Sequence, residues 1–311
     1  MNDAHQGVGA PLPRKEDDRF MRGRGRFVAD IKPAGIREVA FVRSPLAHAR
    51  IRGVRVPADI RDRVFLSNDL EDVQPIKAVS ALPGFKPSVQ PAVAGDKVRH
   101  VGEIVGICVA DTRAEAEDLV AQVEVDYEEL PAIHDMLQAR EEGAALIHDE
   151  WGDNVFLESF VDVGDILAVA ARAAIKVERE YRTARQCMAP IEGRGVIAEW
   201  DTRLEQLVVH SATQMPHIVR SGMAECLGLD HGRIRIIAPD VGGGFGYKGI
   251  LLAEEVALGW LARHLRRPVR WIEDRREHLI GNANCREHHY KITGYADADG
   301  RLIGLEAEAH V

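Results

Sequence analysis

Residues 239–249 read Pro-Asp-Val-Gly-Gly-Gly-Phe-Gly-Tyr-Lys-Gly, with four glycines among the five residues from Gly242 to Gly246. The run lies between a strand-like segment at 233–238 (RIRIIA) and a helix-like segment at 250–265. No other segment constrains the chain as much. Glycine reaches backbone conformations closed to other residues and lets the main chain approach a ligand closely. The loop's N–H groups can converge on an anion, and a helix directly behind it adds the positive end of its dipole. These residues predict a phosphate or oxyanion site without saying which. A tight structural turn is the plainer alternative.

A dinucleotide site is a third reading. Gly244-x-Gly246-x-x-Gly249 follows a strand and opens a helix, and Glu273 and Asp274 lie about 25 residues further on, where a ribose-binding acid belongs. On that reading the chain is an NAD(P)-dependent dehydrogenase with a Rossmann-like unit over 233–274. Against it, Phe245 and Tyr247 are bulky for the intervening positions, and only one βαβ unit is visible.

The rest of the chain reads as α+β. Residues 1–19 form an extended N-terminal segment. Residues 20–135 read as a small α/β domain with strands near 38–43, 48–56 and 103–110. Thr112 is the N-cap of a helix over 113–123, where Ala116, Leu119, Val120 and Val123 share one face. Residues 136–160 read as a linker. Residues 161–311 alternate strands (174–181, 195–200, 206–211, 233–238, 269–273) with helices (216–227, 250–265) and finish in a hairpin around the turn DADG. The chain stops inside a strand-like segment, so a fragment or truncated reading frame is expected.

Composition narrows the class. Of 311 residues, 46% are hydrophobic and 29% charged, with a formal net charge of -9. That is a globular chain with no basic stripe, so no nucleic-acid partner is expected. No apolar run reaches the roughly 18 residues a membrane helix needs, so no membrane insertion is expected. The N-terminus lacks a secretory pattern. Cys108, Cys187, Cys226 and Cys285 form no C-x-x-C, and Cys187 and Cys285 read as small buried hydrophobes. A cytoplasmic protein is expected.

Four segments, in order, resemble one family: RGRFVADI with VAFVRSPLAHARI (24–31, 39–51), VRHVGEIVGICVADTRAEAEDLVAQVEVDYEELPAI (98–133), MAPIEGRGVIAEWD with LVVHSATQMPHIVR (188–201, 207–220), and the glycine loop. They resemble the N-terminal portion of the molybdopterin-binding large subunit of molybdenum hydroxylases, of the xanthine dehydrogenase and aerobic carbon monoxide dehydrogenase type. The resemblance implies a hammerhead-like α/β domain at 20–135. It also implies the first, incomplete part of a mixed α/β molybdenum-cofactor-binding domain at 161–311. It makes Gly243, Gly244, Phe245 and Gly246 the cofactor loop, with the Phe245 N–H toward a molybdenum oxygen. Gln214 becomes a donor to an oxo or pterin group, since an amide donates without adding charge.

The implied activity is hydroxylation of a substrate carbon with oxygen from water, the substrate being an N-heterocycle, an aldehyde or carbon monoxide. The implied cofactor is molybdopterin cytosine dinucleotide with molybdenum. The [2Fe-2S] clusters and FAD would sit on an iron–sulfur small subunit and an FAD-binding medium subunit. The family's purine hydroxylases carry a substrate-gripping glutamate directly after the loop lysine, where this chain has Gly249, so purine binding of that kind is not expected. The family's base glutamate would lie beyond Val311, so no catalytic residue and no metal ligand is assigned. A truncated, non-catalytic cofactor-binding or assembly module is the remaining alternative. Glu192 and Arg194 read as a solvated face or local ion pair ordering a strand. Lys248 reads either as a phosphate partner or as the exposed end of the loop. His210, His217, His288 and His289 read as structural.

Overall fold

The computed structural model describes residues 7–281 and 283–311. Its architecture is α+β, centred on a mixed seven-stranded sheet. From edge to edge the strands are Ile234–Ile237, Gln206–Ser211, Gly195–Asp201, Val269–Ile272, Arg37–Arg43, Ile104–Ala110 and Val64–Phe65. Two neighbouring pairs are parallel: Gln206–Ser211 with Ile234–Ile237, and Arg37–Arg43 with Val269–Ile272. The second pair joins the N-terminal and C-terminal regions along one hydrogen-bonded seam, with Arg37 and Glu38 opposite Val269 and Arg270.

Ile104–Ala110 (IVGICVA) is buried at every residue. A continuous apolar run suits a strand covered on both faces. One face packs on Ala116 and Leu119 of the Arg113–Val120 helix. The other joins a larger core with Val256, Leu258 and Leu261 of the Ala253–Leu265 helix and Val219 and Met223 of the Pro216–Leu227 helix. Each fully buried aliphatic side chain there contributes roughly 1.5–3 kcal/mol.

Local signals set the helix ends. Thr112 caps the first of these helices: its hydroxyl accepts from the Glu115 N–H at 3.2 Å, and the Glu115 carboxylate accepts from the Thr112 N–H at 3.0 Å. Pro216 opens the helix that closes at Gly228, a left-handed cap with φ 61°. Strands Ile175–Thr183, His288–Ala296 and Leu302–His310 form a separate antiparallel sheet. At its DADG turn, Asp297 Oδ1 accepts from the Asp299 and Arg301 N–H groups.

Several elements differ from the sequence reading. Part of the segment expected to be extended is a short helix, Asp17–Met21; residues 1–6 lie outside the described residues. The short helices Ile166–Arg172 and Arg275–Gly281 were not anticipated. The helix expected from residue 250 starts at Ala253, after a 3-10 turn at Tyr247–Gly249. The helix thus does not open directly behind the glycine loop, and its first turn carries Glu254 and Glu255. The dinucleotide unit also fails topologically. Ile234–Ile237 and Val269–Ile272 are separated in the sheet by two strands, Gln206–Ser211 and Gly195–Asp201. A Rossmann crossover would make them neighbours.

Candidate cofactor-binding site

The glycine loop leaves the Ile234–Ile237 strand at the sheet edge and folds back over residues 190–194 and 213–215. Gly243 and Gly246 adopt φ 95° and 97°, and Phe245 takes φ 54°. Left-handed backbone is unfavourable for a bulky side chain, so Phe245 marks local strain of the kind found at ligand sites. Its ring points outward, 70% exposed.

The loop is fixed at both ends. At the start, the Asp240 carboxylate pairs with Arg19 and accepts from the Arg26 N–H at 2.7 Å. The Arg19 guanidinium lowers the Asp240 carboxyl to about 2. Gly242 N–H donates to Glu192 Oε2 at 2.7 Å. At the end, the Lys248 carbonyl accepts from Gln214 N–H at 2.9 Å and Thr213 Oγ1 at 3.0 Å.

Gln214 touches the middle of the loop. Gly246 N–H donates to its Oε1 at 3.0 Å. An N–H can only donate, so this bond orients the carboxamide: Oε1 faces the loop and the Nε2 donors face away. Gly244 lies so close that a Cβ there would overlap the Gln214 carboxamide. Gln214, Gly243, Gly244, Phe245 and Gly246 are thus brought together. Among the described residues no acceptor meets the N–H groups of Gly243, Gly244 and Phe245, or Gln214 Nε2. Three successive backbone donors and one neutral side-chain donor of this stretch are therefore left without an internal acceptor. Among the described residues, no group of three or more His, Cys, Asp or Glu side chains is placed to hold a metal ion.

Beneath the loop lies a buried charge network that the sequence reading missed. Arg194, read as solvated or locally paired, is only 5% exposed. Its guanidinium donates to Glu254 at 2.9 and 3.0 Å and to Glu273 at 2.7 and 2.9 Å. Burial opposes its charge, but Glu254 and Glu273 more than reverse that and hold it charged. Burial likewise pushes Glu254 up, yet Arg194 and Arg43 bring it to about 2. Among the described residues Glu255 forms no ion pair: burial and the neighbouring Glu254 outweigh the more distant Arg194 and raise it to about 7, and it accepts from Ser211 Oγ and Leu252 N–H. Glu273 also accepts from the Tyr247 hydroxyl at 3.1 Å, while His278 Nε2 lies 2.8 Å from the Met188 carbonyl. The acid that a dinucleotide reading would give to ribose is thus committed inside the protein.

Three smaller readings are corrected. Lys248 is not the exposed end of the loop: it is 2% exposed and pairs with Glu192 at 3.0 Å. Cys187 and Cys285 are exposed, not buried, because their segments meet at a surface bridge between Gln186 and Cys285.

A family model of the molybdopterin cofactor-binding domain matches residues 147–311. Another, of the a/b hammerhead domain of aldehyde oxidase and xanthine dehydrogenase, matches residues 22–131. The nicotine 6-hydroxylase large subunit of Paenarthrobacter nicotinovorans is 35% identical over 309 residues, covering 98% of this chain and 38% of that protein. The carbon monoxide dehydrogenase large chain of Hydrogenophaga pseudoflava is 32% identical over 305 residues, covering 94% and 38%. The crystal structure of quinoline 2-oxidoreductase from Pseudomonas putida 86 superposes with a TM-score of 0.90 at 37% identity, over 96% of this chain and 38% of that one. The chain thus spans 38% of the length of these relatives. With the cofactor-domain model covering more than half of its residues, the chain belongs to the molybdopterin-binding large-subunit family of xanthine dehydrogenases and aerobic carbon monoxide dehydrogenases.

Proposed function

We propose that this chain holds the molybdenum cofactor of a hydroxylase that oxidises a small-molecule substrate, an N-heterocycle, an aldehyde or carbon monoxide. The observation that carries this is the cluster of open donors: the Gly243, Gly244 and Phe245 N–H groups beside Gln214 Nε2. These residues fit an anionic pterin cofactor, because backbone dipoles and a neutral amide stabilise negative charge without proton exchange. The bound cofactor would supply the redox chemistry that inserts water-derived oxygen into a substrate carbon. The chain's part is to fix its position. Gly244 permits close approach, Gly243 and Gly246 make the turn, and Gln214 holds its donors outward.

Molybdopterin cytosine dinucleotide is the proposed cofactor form. Two relatives are named for nicotine and quinoline, which favours an N-heterocycle. Gly249 agrees, since it offers no carboxylate to a purine, and a Cβ there would meet only Met215 Cγ at 3.8 Å. Because relatives carry subunit names, an iron–sulfur subunit with [2Fe-2S] clusters and an FAD-binding subunit are the proposed partners. Buried Cys108 and Cys226 thiols suit a reducing cytoplasm. No helix among the described residues is long and apolar enough to cross a membrane.

Gln214→Ala tests the reading on protein purified with its native partners. Molybdenum content should fall roughly tenfold or more, the value of one donor to a charged group, while the melting temperature stays within a few degrees. Unchanged molybdenum content would contradict it.

A further inference from the structure

Lys248 follows a glycine-rich loop, where a lysine commonly meets phosphate. Here it cannot do so without leaving a buried pair. Its side chain is fully buried, and its Nζ donates to the Glu192 carbonyl and to Glu192 Oε2, both at 3.0 Å. The same Oε2 accepts from Gly242 N–H at 2.7 Å, and Glu192 N–H donates to the Gly242 carbonyl at 3.2 Å. Gly242 must be glycine for this approach, since a Cβ would sit 2.5 Å from Glu192 Cβ. The Lys248 carbonyl meanwhile accepts from Gln214 and Thr213. One ion pair therefore ties Gly242 near the start of the loop to Lys248 near its end, and the Lys248 carbonyl ties both to the segment bearing Gln214.

We propose that Glu192 and Lys248 are positioning residues that clamp the glycine loop with its open donors outward, and that Lys248 does not itself bind the cofactor. The second half rests on the molybdopterin reading above; the clamp does not. The anion then meets backbone N–H groups and the Gln214 amide only. Burial pulls the Lys248 ammonium below its usual range while Glu192 works against that, as expected of an internally neutralised pair. Oε2 alone carries both bonds of the Glu192 carboxylate, so a carboxamide oxygen can replace it, and geometry should matter more than charge.

The test uses the full chain purified with its native partners. It reads amide hydrogen exchange over residues 239–249 together with molybdenum content. In Glu192→Ala and Lys248→Met, exchange at the Gly242 amide should rise about tenfold or more, and molybdenum should fall in parallel. Glu192→Gln should restore most of both, which also separates a clamp from a general folding defect. If Lys248→Met loses molybdenum while Gly242 keeps wild-type protection, Lys248 is a direct cofactor ligand and the proposal is wrong. If Glu192→Ala leaves exchange unchanged, the clamp does not exist. A wild-type preparation without molybdenum would defeat the cofactor reading and, with it, the statement about Lys248. Loop exchange would still decide the clamp.

Discussion

Gly244→Ala separates cofactor retention from stability. A Cβ at this position overlaps the Gln214 carboxamide and lies 2.7 Å from its Cγ methylene. Gly244 does not have positive φ, so alanine brings no backbone strain of its own. The obstacle is the far end of an exposed, flexible side chain, so Gln214 swings into solvent and the main chain stays. The direct loss is the Gly246 N–H bond to Oε1, about 0.5–1.5 kcal/mol. A loss near 1 kcal/mol moves the melting temperature by about 2–4 °C in proteins of 150–250 residues, and by less in a longer chain. The site, however, loses the Nε2 donor. A hydrogen bond to a charged group is worth about 1.5–3 kcal/mol, which corresponds to roughly tenfold to hundredfold weaker retention. The assay is molybdenum per chain in the natively purified complex beside a thermal melt. Wild-type molybdenum content would refute the role given to Gln214. Loss of molybdenum with a melting shift beyond about 10 °C would mean that the substitution acts through folding.

Other substitutions probe the supporting structure. Arg194→Met takes the guanidinium from Glu273 and leaves Glu254 with Arg43 alone, a cost of about 3–5 kcal/mol, and should lower the melting temperature by roughly 10 °C; a shift under 2 °C would mean the network is not held as described. Glu255 ionises near pH 4.5 when unfolded and about 7 when folded, so its burial removes stability as pH rises through that window. Glu255→Gln should therefore stabilise the protein at pH 8 and leave it unchanged at pH 4, where both states are protonated; equal effects at the two pH values would refute the assignment. Thr112→Ala removes a capping box and should cost about 1 kcal/mol in denaturant unfolding, with no change in molybdenum content.

What could be seen in the sequence was what is local. The glycine loop, the Thr112 cap and the helix from Pro216 to Leu227 depend on neighbours a few residues away, so composition and spacing reveal them. Arg194 is different. Its partners Glu254 and Glu273 come from a distant helix and a distant strand end, and Arg43, which shares Glu254, comes from the N-terminal region. Nothing near Arg194 signals that fold-level convergence. Lys248 was ambiguous for the same reason, since only the return of residues 190–194 beside the loop supplies Glu192. The late start of the Ala253–Leu265 helix was hidden because Ile250 to Leu252 continue its apolar pattern while adopting extended backbone. The short helix Arg275–Gly281 is too brief to show periodicity and is held by tertiary bonds such as Arg43 to Glu277.

The central claim is that the open donors beside Gln214 hold a molybdopterin cofactor. It is tested most directly by elemental analysis, with nucleotide release after denaturation, on the chain purified from its native host with its partners. The account predicts molybdenum in stoichiometric amount and release of a cytosine nucleotide. A fully assembled preparation that contains neither molybdenum nor a pterin would contradict it.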